Sequence, residues 1–349
     1  MSLGAEGYRW SSARAFLFDK ACPDRDVMEV ERTMGQVETT VNPEREVRYR
    51  RKKKRRTFDE MTYHAMLLPG MAMLFIFSIV PMFGVVMAFQ KFIPAKGILG
   101  SAWAGLDNFT YMFQLPDAKQ IFVNTLVIAV GKIVLGLIVP IIFALLLNEV
   151  RLKLFKSTIQ TIVYLPHFMS WVVLGTMLTM IFSFDGMINN FLEFLGLERI
   201  MFLASNDWFR PLLIVTDTWK EFGYGTIVYL AALTAINPAL YESAAMDGAS
   251  RWKQTLNITL PGMFPTIILL GTLSLGNVLN AGFDQVFNLY NPLVYETGDI
   301  IDTFVYRMGL INMQYSFATA IGLMKSVISF ILIVISYRLA SRYAGYRIF

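Results

Sequence analysis

The amino-acid sequence predicts an all-α integral membrane protein with six transmembrane helices and both termini on the cytoplasmic side. Three observations carry that expectation. Of 349 residues, 55% are hydrophobic and 16% charged, with a mean hydropathy of +0.49, whereas soluble domains carry about 25% charged residues. The apolar residues fall in long runs, and one helical span takes about 20 of them in sequence. The positive charge is concentrated: Arg50, Arg51, Lys52, Lys53, Lys54, Arg55 and Arg56 form an unbroken run shortly before the first apolar segment.

Six segments are long and apolar enough to cross. Residues 65–89 contain no charged side chain, and 121–147 contain only Lys132. Residues 161–182 are again uncharged, while 211–236 carry Asp217, Lys220 and Glu221. Residues 264–288 end near Asp284, and 317–340 hold Lys325 and Arg338. Each span must satisfy its own backbone in lipid, which requires helices; no ten-residue alternation suggests a barrel. The basic run sets the orientation through the positive-inside rule. Arg151, Lys153, Lys156, Arg251 and Lys253 then fall on inner loops, with Arg342 and Arg347 in the tail.

Residues 1–58 lack an apolar core that would act as a secretory signal. Their mixed, polar composition reads as a cytoplasmic extension, mostly disordered. The basic run is an anchor for anionic lipid rather than a nucleic-acid site, given the span that follows it. The single cysteine, Cys22, permits no internal disulfide. His64 and His167 are too isolated to suggest a metal centre.

The loop 237–263 between the fourth and fifth spans carries the most specific signal. Asn237 is placed to cap a helix with Pro238 at its first position. That helix is expected to run through Ala239 to Asp247 and to turn at Gly248. A second short helix should reach Leu260, with Pro261 breaking it before the next span. Ala244, Ala245 and Gly248 give this helix–turn–helix a face of small residues that another backbone can approach, and Tyr241 and Asp247 are expected to take part in the same docking loop. Glu242, Ala244, Gly248, Ile258, Leu260 and Pro261 match, without a gap, the signature of ATP-binding-cassette importer permeases. Ser243 replaces the first alanine of that signature, a change of little bulk.

The resemblance extends over residues 63–349. Gly105-Leu-Asp-Asn-Phe109, Tyr164-Leu-Pro-His-Phe168 and Asp217-Thr-Trp-Lys-Glu-Phe222 resemble the carbohydrate branch. The stretch from Phe283 through Asn291-Pro292 resembles its polysaccharide and oligosaccharide subgroup. This resemblance implies a multi-pass protein of the bacterial inner membrane that docks the loop helix into an ATPase. It also implies a second homologous permease, two ATP-binding-cassette ATPases, an extracytoplasmic solute-binding protein and an oligosaccharide substrate. The sequence itself has no Gly-x-x-x-x-Gly-Lys-Ser/Thr phosphate loop; Gly131-Lys132 is followed by Ile133 inside a span. The chain is therefore expected to be non-catalytic and to bind no cofactor, with ATP and Mg used by the partner.

Polar groups inside a span are costly and usually face a pathway or a bundle interior. Counted at about 1.5 Å per helical residue, Glu221 and Tyr224 reach the same depth as Asn277 and Asn280. Trp219 offers an aromatic face for a sugar ring. Similarity to maltose-type permeases adds Asp217 and Lys220 and again points to Tyr224 and Asn277. The bland alternatives are that the amides only join helices and that Asp217, Asp284 and Lys325 form one buried charge cluster. Lys132, Lys220 and Lys325 would suit an acidic sugar, but Asp217, Glu221 and Asp284 offset them. Lys132 has no evident role. A secondary transporter would be expected to show internal repeats with paired broken helices, and none is evident. A membrane enzyme would need a reactive set at a water-facing surface, for which Asp299 and Asp302 are the only faint candidates.

Overall fold

A computed structural model describes residues 58–343. The extension before Phe58, with its basic run and Cys22, and the C-terminal residues 344–349 lie outside the described residues. Packing divides the chain into two units, Met1–Ala72 and Met73–Phe349. What is described of the first is most of the helix Phe58–Leu74. Its Met66, Leu67, Leu68 and Met71 are all exposed, a surface suited to lipid rather than water.

Among the described residues of the second unit the regular structure is helical apart from a two-residue antiparallel bridge that pairs Gln90 with Trp103 and Lys91 with Ala102. Five segments among the described residues are long and apolar enough to cross a membrane. They are Met61–Phe89, Ala118–Glu149, Trp171–Phe194, Arg251–Leu275 and Tyr315–Arg338. The helix Asn206–Thr234 has 29 residues, yet it meets the same standard only together with Pro238–Met246 beyond a 68° bend. Asp217, Lys220 and Glu221 interrupt its apolar length.

Two expected spans are broken. Residues 161–182 do not form one helix: Lys153–Tyr164 passes into a 3₁₀ turn, Leu165–Phe168, and helix resumes at Trp171 under a Ser170 cap. Pro166 removes one N–H from the helical ladder; Leu165 before it stays helical, and the chain becomes extended at Met169 and Ser170. Residues 264–288 are also interrupted. The helix Leu260–Leu275 stops at Gly276, and Phe283–Leu289 restarts only after Gly282, whose φ is +88°. Glycine reaches that conformation without the strain a side chain would impose. Pro261, by contrast, does not break its helix. The chain is helical from Arg251 to Leu275, and a π turn at Thr255–Thr259 widens the helix just before the proline ring.

Two apolar cores bracket the middle of the bundle. Ile128, Leu178, Phe209, Leu213, Val286 and Ile300 pack in one; Ala144, Tyr229, Leu233 and Met263 pack in the other. On Asn206–Thr234 the residues between these cores are the polar ones, 217–224. There the helix Lys153–Tyr164 comes very close. A Cβ on Gly223 would sit 2.3 Å from the Val163 carbonyl oxygen, whereas one on Gly322 would meet nothing within 4 Å. Gly223→Ala should therefore cost about 1–3 kcal/mol through overpacking. In detergent its thermal midpoint should fall, while Gly322→Ala stays near the parent; equal midpoints would show that the helices separate at no cost.

Candidate functional site

The polar layer of the fourth span is built from two ion pairs. Asp217, Lys220, Glu221 and Tyr224 follow i, i+3, i+4, i+7 spacing and so share one face of the helix. Asp217 pairs with Lys132 of the second span at 3.1 Å. Lys132 Nζ also donates to the Ala281 carbonyl at 2.7 Å and to Gln285 Oε1. Gln285 is fully buried and passes the connection on, donating to Leu213 O and Thr216 Oγ1, each at 2.8 Å. An ion pair taken out of water stands only when its remaining hydrogen-bonding capacity is met, and here Lys132 meets three acceptors.

The second pair lies one turn further along. Lys220 Nζ donates to Glu221 Oε1 at 2.7 Å and to the His167 carbonyl at 3.0 Å. His167 Nδ1 lies 2.7 Å from Glu221 Oε2. The imidazole stacks on Tyr224 with ring centroids 4.0 Å apart and planes within 2°. Trp171 places its ring 5.6 Å from the Lys220 ammonium.

Beside the first pair opens a cleft of about 310 Å³ whose walls include Lys132, Asp217, Ser274, Asn277 and Asn280. Asn277 and Asn280 are exposed and lie in the non-helical break, so a depth counted along an unbroken helix does not apply to them. Their side chains retain hydrogen-bonding capacity. Asn277 donates weakly to Leu273 O at 3.5 Å, and Asn280 Oδ1 accepts from Gly282 N at 3.4 Å. The Tyr224 ring is 47% exposed. Trp219 sits about 200° around the helix from Asp217, away from the polar face, and is also half exposed. The proposed cluster of Asp217, Asp284 and Lys325 does not form. Asp217 pairs with Lys132, Lys325 pairs with Asp302, and Asp284 is exposed.

The loop 237–263 forms its helix as Pro238–Met246, with Asn237 Oδ1 accepting from Ala239 N at 3.0 Å. Gly248, at φ +73°, closes it. Ala249 N donates to Ala244 O and Gly248 N to Ala245 O, the paired bonds of a Schellman ending. Tyr241 ties the helix back to Thr259 at 3.0 Å, and Arg251 meets Glu149 at 2.7 Å. Glu242, Ser243, Ala245, Asp247 and Gly248 are exposed, and Ala244 is partly so. Ile258 and Leu260 are half-buried on the following helix, and Pro261 is exposed.

Sequence reasoning therefore placed the polar groups of the fourth span on one face and found the capped helix of the loop 237–263. It missed His167, Gln285 and the work of Lys132. The Tyr164-Leu-Pro-His-Phe168 stretch held a usable signal in the pairing of Pro166 with a polar His167; proline alone was not one, because Pro140 sits inside the unbroken helix Ala118–Glu149.

Residues 136–345 match the family described as binding-protein-dependent transport system inner membrane component. Among curated relatives, the polygalacturonan/rhamnogalacturonan transport system permease protein YteP of Bacillus subtilis is 44% identical over 80% of this chain and 88% of its own. Protein LplB of the same organism is 43% identical over 77% and 85%. A crystal structure of a bacterial ABC transporter involved in the import of the acidic polysaccharide alginate superposes with a TM-score of 0.76. Its chain is 40% identical, over 82% of this chain and 96% of that one.

Proposed function

Because this chain belongs to the family of binding-protein-dependent transport system inner membrane components, we propose that it is the permease subunit of an ATP-binding-cassette importer for oligosaccharides released from an acidic polysaccharide. It works in the bacterial inner membrane with a second homologous permease and two ATPase subunits, and an extracytoplasmic solute-binding protein delivers the sugar. The chain is non-catalytic; ATP and Mg act in the ATPases. Both termini are cytoplasmic, and residues 1–58 form a cytoplasmic extension. Closure of the ATPases moves the helix Pro238–Met246 as a lever, and the spans open alternately to the two sides.

The observation that carries this reading is the cleft beside the fourth span, polar although it lies between two apolar cores. Of the expected sugar-binding residues, Tyr224, Asn277 and Asn280 present free hydrogen-bonding atoms or ring surface. Asp217, Lys220 and Glu221 support them through the two ion pairs. A neutral, hydroxyl-reading surface of this kind suits a sugar, whose hydroxyls both donate and accept. Trp219 lies on the far side of the same helix, away from this cleft, and offers its aromatic surface there.

Reconstitution with the partner permease, ATPases and binding protein tests the reading directly. Uronate oligosaccharides should enter vesicles only when ATP is supplied, and binding protein should accelerate entry. Uptake by this chain without the ATPases, driven by an ion gradient, would instead make it a secondary transporter.

A further inference from the structure

We propose that Lys132 is a positioning residue of the translocation path, clamping the broken fifth span so that Asn277 and Asn280 face the cleft, and that it does not itself bind substrate. The inference rests on the importer reading above. The break between Leu275 and Phe283 leaves backbone groups without helical partners. At membrane depth non-helical backbone is tolerated only where protein groups or a water-filled cavity satisfy it. The Ala281 carbonyl finds such a group in Lys132 Nζ at 2.7 Å. The same ammonium holds Gln285 at the start of the following helix and Asp217 on the fourth span. One side chain thus joins three segments at the point where the fifth span changes direction.

An ammonium has three donors, and all three are engaged. The Lys132 side chain is 9% exposed. A substrate carboxylate would have to break an existing contact to reach it, so the charge serves the frame rather than the ligand. The other broken span repeats the arrangement: Lys220 donates to the His167 carbonyl in the Leu165–Phe168 turn and pairs with Glu221. Each break is held by a lysine whose charge is balanced by a carboxylate of the fourth span. Gly282 completes the clamp, because a Cβ there would lie 2.8 Å from Lys132 Nζ.

Three variants in the reconstituted complex test this: Lys132→Met, Lys132→Met/Asp217→Leu and Gly282→Ala. The double variant removes the buried charge imbalance, since an ion pair replaced by apolar groups of similar volume is often tolerated. It should assemble with its partners at the parental thermal midpoint and still lose uptake by at least about tenfold, for neutral and uronate oligosaccharides alike. Gly282→Ala changes no charge; it displaces the ammonium and strains the backbone of the break at φ +88°, and it should show the same loss. Parental uptake by the double variant would make Lys132 only a counter-charge. A loss confined to uronates would make it a ligand, and parental uptake by Gly282→Ala would show that the clamp geometry is dispensable. Failure of both the double variant and Gly282→Ala to assemble would make the contacts determinants of folding. Any of these results overturns the proposal. Absence of ATP-driven uptake in the parental complex overturns the importer reading instead.

Discussion

A Gly248→Glu variant should insert in the membrane, lose its ATPases on purification in detergent, and take up substrate at the background rate. Two physical costs combine at this position. Gly248 closes the helix Pro238–Met246 at φ +73°, and a left-handed conformation costs a residue with a side chain about 1–2 kcal/mol. The helix has only nine residues, so that strain is enough to loosen its last turn and its Schellman bonds. The chain itself leaves open space around the position, with nothing within 4 Å of a Cβ. Beyond that backbone strain, a glutamate side chain meets no clash within this subunit, and it obstructs where a partner backbone approaches. Gly248→Asn separates the two costs, because asparagine tolerates the left-handed region. If crowding at the docked surface dominates, Asn should also release the ATPase; if strain dominates, Asn should retain it. Normal retention and uptake in Gly248→Glu would show that this helix does not dock.

Asn277→Ala and Tyr224→Ala should each abolish most sugar uptake while the complex still assembles. Removing a hydrogen bond whose partner stays buried costs about 1–3 kcal/mol, enough to lower uptake about five- to 150-fold if the bond forms with the sugar in transit. Both side chains are exposed, so truncating Asn277 removes little packing and truncating Tyr224 removes chiefly its ring contacts with His167 and Phe168. Tyr224→Phe keeps the ring that stacks on His167 at 4.0 Å and removes only the hydroxyl. Uptake by the Phe variant well above that of Tyr224→Ala would assign the role to the aromatic surface. Parental uptake in both alanine variants, or failure of either to assemble, would return these residues to helix packing and move the sugar path elsewhere.

The two broken spans show where reading a sequence by hydropathy stops. Broken helices were expected of a secondary transporter and not seen in the sequence, yet two spans are interrupted, at 165–170 and 276–282. The apolar runs continue through both breaks because Leu165, Phe168 and Met169 carry the first and Val278, Leu279 and Ala281 the second; hydropathy reports side chains, not dihedral angles. Pro166 beside His167 marked the first break locally. Nothing as strong marked the second, since Gly276 and Gly282 are common residues in spans. Pro261 erred in the other direction: its ring suggested an end, and a π turn at Thr255–Thr259 accommodated it.

Composition and periodicity alone determined the helical membrane class, the number of apolar runs, the polar face of the fourth span and the capped helix with its glycine turn. These features depend on local chemistry, on the length of a run or on helical spacing, all of which the chain carries within a few turns. Only tertiary structure decided which lysine meets which carboxylate. Lys132 and Asp217 are 85 positions apart, and Lys325 turned out to pair with Asp302 rather than to join Asp217 and Asp284. A buried charge takes the partner that the packing of several spans brings within about 4 Å. That geometry is set by close approaches such as Gly223 against Val163, which no single stretch of sequence contains.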